Sequence, residues 1–184
     1  GIYNRTTATA EILAKELDVT VFQQPEALAA NVDVILLCVS ADQDVLAMIH
    51  AIAKTIKPGS VVIDMSTVSS ATAIEAAVIL AEHQASFLDA PVSGGVEGAK
   101  NGTLAMMVGG DATILGKIRP ILEAMTSRIM HMGNTGAGQA TKAVNQIMCA
   151  GINQAVTEAL AFAQTQSLPM EKVIEVISGG AAGN

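Results

Sequence analysis

The first 90 residues alternate between short apolar runs and segments with the residue spacing of amphipathic helices. Val34–Val39 is apolar without interruption, and Val61–Met65 is apolar apart from Asp64, as expected of strands buried on both faces of a sheet. Between them, apolar residues in Val45–Ala53 recur every three to four positions, which indicates a helix. Parallel strands need crossovers of this kind, so the alternation predicts βαβ units and a mostly parallel sheet.

The remaining segments extend this α/β pattern. An apolar helix of unusual length, Gly138–Gln166, divides the chain into a nucleotide-binding-like domain over residues 1–132 and, over 133–184, the long helix with the start of an all-α domain. Thr72 and Glu75 have the spacing of a capping box. The other predicted strands are Gly1–Asn4, Val19–Phe22, Ser86–Asp89, Thr103–Val108 and Arg128–Met132, and the other predicted helices are Thr6–Leu17, Pro25–Ala30, Thr72–Ala81, Ala112–Met125 and Met170–Ile177.

Composition narrows the class of protein. The chain is 51% hydrophobic and 15% charged, which is typical of a globular domain. Its net charge is −7 and its ten Lys and Arg residues are scattered, so we expect no nucleic-acid partner. Cys38 and Cys149 lie in apolar segments, which favours core positions and a reducing cytoplasm over a disulfide framework. No apolar run is long enough to predict a membrane span. The three His residues lack the spacing of metal ligands, so no metal is expected.

Asn4-Arg5-Thr6 follows the first strand-like segment and precedes a helix. In a dinucleotide-binding fold, an acidic residue at such a turn binds the ribose hydroxyls of NAD, whereas an Arg accommodates the 2′-phosphate of NADP. The triplet therefore favours NADP, although a lone Arg in a turn is more often simply solvated.

Polar residues end two of the apolar strands, at Val39-Ser40 and at Asp64-Met65-Ser66-Thr67. Ligands of open α/β sheets bind beside the carboxyl ends of the strands. Capping of the following helices by these hydroxyl groups is the alternative explanation.

The segment Asp89-Ala90-Pro91-Val92-Ser93-Gly94-Gly95 is a candidate anion site. Two glycines after Ser93 allow the backbone to approach a ligand closely and present N–H groups to a carboxylate. An ordinary glycine turn would have the same sequence, so the motif leaves both interpretations open.

Glycines also lead into the long helix, at Gly133, Gly136 and Gly138, and Lys142 lies one turn inside it. The rest of this helix is apolar on every side, which predicts that it is buried. A Lys on a buried helix is costly unless it is paired or works as an acid/base. The alternative is a Lys whose amino group reaches solvent.

Taken in order, these five motifs resemble the β-hydroxyacid dehydrogenase family, which includes 3-hydroxyisobutyrate dehydrogenase, tartronate semialdehyde reductase and glyoxylate reductases. The match covers most of the chain, and Asp89–Gly102 and Gly133–Lys142 are its most specific parts. The resemblance implies a Rossmann-like, doubly wound, mostly parallel sheet followed by a long helix that opens an all-α domain. It also implies an NADP-dependent enzyme (NAD is less favoured) that interconverts a small β-hydroxyacid and its semialdehyde.

The resemblance further implies roles for individual residues. Lys142 would be the general acid/base. The substrate, a small carboxylate, would be bound by Ser93, Gly94, Gly95, Asn145 and Gln146, and the cofactor by Asn4, Arg5, Thr6, Val39, Ser40 and Thr67. Many members of the family carry Asn four residues after the Lys, where this chain has Gln146. We interpret this departure as a clue to the substrate.

Two other features of the family are missing from these residues: a glycine-rich phosphate loop about 20 residues before Gly1, and a later segment with a second Lys. We therefore expect an excerpt of a longer protein, which would be cytoplasmic and homo-oligomeric. The alternatives are a non-catalytic nucleotide-binding module and a 6-phosphogluconate-type or imine-reducing relative.

Overall fold

The computed structural model describes residues 1–183, which fall into two compact units. The first unit, Gly1–Lys142, contains one six-stranded sheet with helices, and the second, from Ala143 onward, is helical. The strands are β1 Val34–Leu37, β2 Val61–Asp64, β3 Ser86–Asp89, β4 Val92–Ser93, β5 Leu104–Gly109 and β6 Thr126–Gly133. The helices are α1 Thr7–Leu17, α2 Pro25–Ala29, α3 Asp42–Ala53, α4 Ser70–Glu82, α5 Gly95–Lys100, α6 Ala112–Leu122, α7 Ala137–Thr165 and α8 Met170–Ser178.

The sheet has the strand order β1-β2-β3-β5-β4, and β6 pairs with β5. Strands β1, β2 and β3 are parallel, as are β5 and β6, whereas β5 runs antiparallel to β3 and β4. Side chains of one strand alternate between two cores. Val62 of β2 packs in one core with α3 and α4, and Val61 and Ile63 pack in the other with α6. The predicted α/β class with a mostly parallel sheet is confirmed.

The start of the chain differs from the prediction. Instead of two strands, the segments around Ile2 and Val21 form one isolated parallel bridge. Ile2 N–H donates to Thr20 O over 2.9 Å, and Phe22 N–H donates to Ile2 O over 2.8 Å. Two predicted strands therefore shorten to a single pair of residues.

Other differences are local. The short elements β4 and α5 were not predicted, because two and six residues are too few to show a periodicity. The predicted capping box was wrong: Ser69 caps α4 by accepting the N–H of Thr72, so Thr72 already lies inside the helix. Cys38 and Cys149 are free and exposed, not core residues as predicted. Cys38 follows β1, in which Leu36 is also exposed, and Cys149 lies between the exposed Met148 and Ile152 of α7.

The second unit contains α8 and the part of α7 that follows Lys142. Its apolar side chains are largely exposed. The described residues therefore do not cover α7, which the sequence predicted to be buried. No helix within residues 1–183 is long and apolar enough to cross a membrane. The exposed apolar side chains of α7 include Val144, Ile147, Met148, Ile152, Val156 and Phe162.

Candidate functional site

The carboxyl ends of β1, β2 and β3 lie side by side at one edge of the sheet. In the parallel register, Leu37 is opposite Asp64, and Asp64 is opposite Asp89. The segments that follow these three strands therefore leave the sheet at the same edge, where open α/β sheets bind their ligands.

Asp89 connects this edge to the beginning of α7. Its carboxylate is fully buried, and it accepts the N–H of Gly136 on Oδ1 over 2.8 Å and the N–H of Gln139 on Oδ2 over 2.9 Å. A carboxylate at a helix N-terminus satisfies free N–H groups and interacts favourably with the helix dipole. Burial raises the pKa of Asp89, although the hydrogen bonds from Gly136 and Gln139 oppose that rise.

Gly138 is needed for this close approach. A Cβ atom at this position would lie 2.5 Å from Met107 O and 2.6 Å from Asp89 O, both of which are backbone atoms. This glycine of the sequence motif therefore serves the packing of α7 against β3 and β5.

Gln139 ties α7 to the segment after β2. The side chain is 2% exposed; its Oε1 accepts the N–H of Val68 over 3.1 Å, and its Nε2 donates to Ser66 O over 2.8 Å. Ser66 in turn accepts the N–H of Val39 on Oγ over 2.9 Å. The segments that follow β1 and β2 and the first turn of α7 thus form one hydrogen-bonded unit.

Lys142 lies three residues after Gln139, so the two side chains project from the same face of α7. Lys142 is 8% exposed. Among residues 1–183, none of the ion pairs and none of the side-chain hydrogen bonds involves its amino group. The structure therefore buries a lysine that no carboxylate of the described chain neutralises.

Most of the predicted cofactor residues line one groove of about 830 Å³ beside β1. Arg5 is the exposed cation of this groove; its side chain is 89% accessible and its guanidinium lies 3.7 Å from a carboxylate oxygen of Asp44. Thr67 is exposed on the segment between Ser66 and Val68, outside the groove lining. The predicted cofactor residues that line the groove are Asn4, Arg5, Thr6, Val39 and Ser40.

The predicted substrate residues fall into two sets. Ser93 ends β4 and is half-buried, and Gly94 (φ +135°) and Gly95 (φ +61°) turn the chain into α5. Positive φ angles favour glycine at both positions. Asn145 and Gln146 belong to the second unit, where Asn145 Nδ2 donates to Gln146 Oε1 over 3.0 Å. The role of both sets in substrate binding stays a prediction.

Sequence reasoning missed Gln139 and the capping role of Asp89. A signal for Gln139 exists in the sequence, since it precedes Lys142 by three residues and so shares its helix face. Within residues 1–183 there is no group of three or more His, Cys, Asp or Glu side chains that could hold a metal ion.

Known proteins match both parts of the chain. Residues 1–133 match the family described as the NAD binding domain of 6-phosphogluconate dehydrogenase. Residues 136–184 match the family described as NAD-binding of NADP-dependent 3-hydroxyisobutyrate dehydrogenase.

Individual relatives agree with these matches. An uncharacterized oxidoreductase of Shewanella frigidimarina is 39% identical over 98% of this chain and 63% of its own length. A probable 3-hydroxyisobutyrate dehydrogenase of Mycobacterium tuberculosis is 38% identical over 90% of this chain and 56% of its own length. The solved structure of M. tuberculosis 3-hydroxyisobutyrate dehydrogenase with L-serine has a TM-score of 0.88 and 36% identity, and covers 98% of this chain and 62% of that protein.

The chain thus spans less than two thirds of the length of these relatives. Its sheet and first helices have the Rossmann-like arrangement of the solved dehydrogenase, as predicted. Both family matches, the relatives and the solved structure agree that the chain belongs to the β-hydroxyacid dehydrogenase family of NAD(P)-dependent oxidoreductases.

Proposed function

We propose that this chain forms the cofactor-binding and catalytic part of an NADP-linked enzyme that interconverts a small β-hydroxyacid and its semialdehyde, with Lys142 as the general acid/base. The observation that carries the proposal is the burial of Lys142, without a carboxylate partner in the described chain, on a helix hydrogen-bonded to the strand ends. A Lys buried without a carboxylate partner is costly for stability, and a role in proton transfer would account for its position.

The residues beside β1 fit a dinucleotide. Ser40 lies just beyond the carboxyl end of β1, and Asn4 and Thr6 add polar groups to the same groove, which runs along the whole of β1. The guanidinium of Arg5 is exposed and only loosely paired, at 3.7 Å from Asp44, so it is available to bind a 2′-phosphate. This favours NADP over NAD, in line with the NADP-dependent enzyme whose family residues 136–184 match.

The bound cofactor would supply the hydride that reduces the semialdehyde carbonyl. In that direction Lys142 donates a proton to the carbonyl oxygen, and in the oxidative direction it accepts the proton of the substrate hydroxyl. General acid/base catalysis of this kind contributes about 10²- to 10⁴-fold to the rate. The N–H groups at Gly94 and Gly95, with the Ser93 hydroxyl, would hold the substrate carboxylate, and Asn145 and Gln146 would contact the rest of the substrate.

The proposal is tested on the full-length protein by following NADPH or NADH absorbance at 340 nm with a panel of small semialdehydes. We expect turnover, with NADPH preferred, and a kcat about 10²- to 10⁴-fold lower for Lys142→Ala. The dissociation constant of NADPH should stay close to that of the unmodified enzyme, because a proton donor acts on the substrate.

Three results would contradict the proposal. Undiminished turnover by Lys142→Ala would remove Lys142 from the chemistry. Absence of turnover with every semialdehyde, combined with tight NADPH binding, would favour a non-catalytic nucleotide-binding module, and turnover of cyclic imines instead would place the protein with the imine-reducing relatives.

A further inference from the structure

Gln139 is the side chain that joins the first turn of α7 to the segment after β2. Both ends of its amide are used: Oε1 accepts the N–H of Val68 over 3.1 Å, and Nε2 donates to Ser66 O over 2.8 Å. The side chain is 2% exposed, so water does not compete for either hydrogen bond. The bonds flank Thr67 on both sides, so they fix the segment Ser66–Val68 relative to the helix.

Lys142 follows Gln139 by almost one helical turn and projects from the same face. Between the two residues the helix is continuous, so a displacement of Gln139 relative to Ser66–Val68 moves Lys142 by a similar amount. The geometry therefore couples the position of Lys142 to the segment that carries Thr67.

The beginning of α7 has other anchors. The carboxylate of Asp89 accepts the N–H groups of Gly136 and Gln139, and Ser70 Oγ donates to Gly136 O over 2.8 Å. These bonds hold the backbone of the first turn and do not involve the Gln139 side chain. These anchors can therefore hold the first turn of α7 without that side chain. The Gln139 amide has a more specific role, which is to set the distance between α7 and the segment Ser66–Val68.

We propose that Gln139 is a positioning residue, which sets the place of the Lys142 amino group relative to the segment Ser66–Val68. The inference rests on the proposed function, in which Lys142 transfers the proton, and on the prediction that Thr67 contacts the cofactor. Gln139 acts through Lys142 and touches neither substrate nor cofactor. A misplacement of about 1 Å in such a pair of groups costs up to about 100-fold in rate.

The test is a double-mutant cycle in the full-length protein, with Gln139→Met, Lys142→Ala and the double variant compared in single-turnover reduction by NADPH. Met has a similar length but lacks both hydrogen bonds. We expect Gln139→Met to slow the reaction about 10- to 100-fold when Lys142 is present. In the Lys142→Ala background the same change should cost less than about twofold, because there is no longer an amine to position.

A second readout does not depend on turnover. Hydrogen exchange of the Val68 amide in the cofactor-free protein should be faster in Gln139→Met, because that amide loses its acceptor. If Gln139→Met fails to fold, Gln139→Glu replaces it, since it keeps the acceptor for Val68 and loses the donor to Ser66. We expect its single-turnover rate to fall between those of Gln139→Met and the unmodified enzyme.

The matched control is Thr126→Val, which removes a buried hydroxyl that donates to Leu122 O over 2.7 Å at the start of β6. This change also exchanges a buried polar group for an apolar one, and it should leave the single-turnover rate unchanged.

The outcomes separate the two proposals. If Gln139→Met slows both backgrounds equally, or slows neither, the positioning role is overturned, whereas the proposed function stands as long as Lys142→Ala is impaired. If Lys142→Ala keeps the full rate, the proposed function fails and the positioning role fails with it.

Discussion

Asp64 and Asp89 lie opposite each other on the parallel strands β2 and β3, and both side chains are fully buried. Their hydrogen bonding differs. Both oxygens of Asp89 accept backbone N–H groups of α7 and the segment before it. Asp64 accepts the N–H of Ser66 on Oδ1 over 2.9 Å, and its Oδ2 is buried without a partner among the described residues. The two carboxyl groups therefore stand side by side in unequal surroundings.

This inequality predicts which carboxyl group holds a proton more readily. Burial raises the pKa of Asp64 above its usual range; the hydrogen bonds from Ser66 oppose that rise, and the neighbouring charge of Asp89 adds to it. The pKa of Asp89 is also raised by burial, but two backbone N–H groups stabilise its charged form. We expect Asp64 to be protonated before Asp89 as the pH falls, since two adjacent buried carboxylates avoid being charged together.

Asp64→Asn should make the protein more stable at pH 7 to 8. An Asn keeps an acceptor for Ser66 and removes a buried charge, which should raise the free energy of unfolding by about 1 kcal/mol. A raised pKa means that the folded state binds the proton more tightly, so the carboxyl group destabilises the fold as the pH rises through its folded pKa. The gain from Asn should therefore shrink toward pH 4. Urea unfolding of the full-length protein between pH 4 and 8 measures the difference in the free energy of unfolding between the variant and the parent. A variant less stable than the parent at pH 8 would contradict the prediction.

Asp89→Asn should have the opposite effect. An amide nitrogen cannot accept a hydrogen bond, so the N–H of either Gly136 or Gln139 loses its acceptor in a buried site. We expect the free energy of unfolding at pH 7 to fall by about 1–3 kcal/mol. The same urea titration checks this, with Asp64→Asn as the matched control; equal effects of the two variants would show that the hydrogen bonds to α7 do not distinguish the carboxyl groups.

The sequence indicated the candidate residues that lie along one segment of the chain. Lys142 was selected because glycines and an apolar helix surround it in sequence, and the strand ends because apolar runs stop there. The links between segments were not predictable in this way. Asp89 and Gln139 are 50 positions apart, and Gln139 and Ser66 are 73 positions apart. Such pairs depend on how the strands and α7 pack, which residue spacing does not encode.

The glycines show the same limit. In the sequence, Gly133, Gly136 and Gly138 lead into the long helix, and the pattern does not indicate what each glycine does. The structure gives Gly138 a packing role, because backbone oxygens fill the space where a Cβ would lie. Nothing within the sequence of α7 distinguishes this glycine from Gly151 in the same helix, which has open space beside it.

Gly138→Ala and Gly116→Ala should change stability in opposite directions. At Gly138 the added Cβ would lie 2.5 Å from Met107 O, and since backbone atoms cannot move aside cheaply we expect a loss of about 3 kcal/mol. Gly116 is inside α6 with no atom within 4 Å of the added Cβ, so Ala should stabilise the helix by about 0.5–1 kcal/mol. Thermal unfolding of both variants is the measurement. Similar midpoints for the two would mean that α7 can shift away from β3.

Arg5→Ala should change the choice of cofactor and leave stability unchanged. The side chain is 89% exposed and its ion pair with Asp44 spans 3.7 Å, so its loss should alter the free energy of unfolding by less than about 0.5 kcal/mol. A hydrogen bond to a charged group contributes about 1.5–3 kcal/mol, which corresponds to a rise of about 10- to 100-fold in the dissociation constant of NADPH. NADH lacks the 2′-phosphate, so its dissociation constant should stay within about twofold.

The control for this prediction is Lys57→Ala. Lys57 is another cation in an ion pair, 3.1 Å from Asp33; it is partly exposed and does not line the groove beside β1. Removing Lys57 changes the net charge of the protein by the same amount as removing Arg5. The control therefore measures how much of the change in the dissociation constant comes from the net charge of the protein alone, which attracts or repels any anionic cofactor. Calorimetric titration of the full-length protein with each cofactor decides the matter. If Arg5→Ala weakens NADPH and NADH equally, or no more than Lys57→Ala does, Arg5 does not bind the 2′-phosphate.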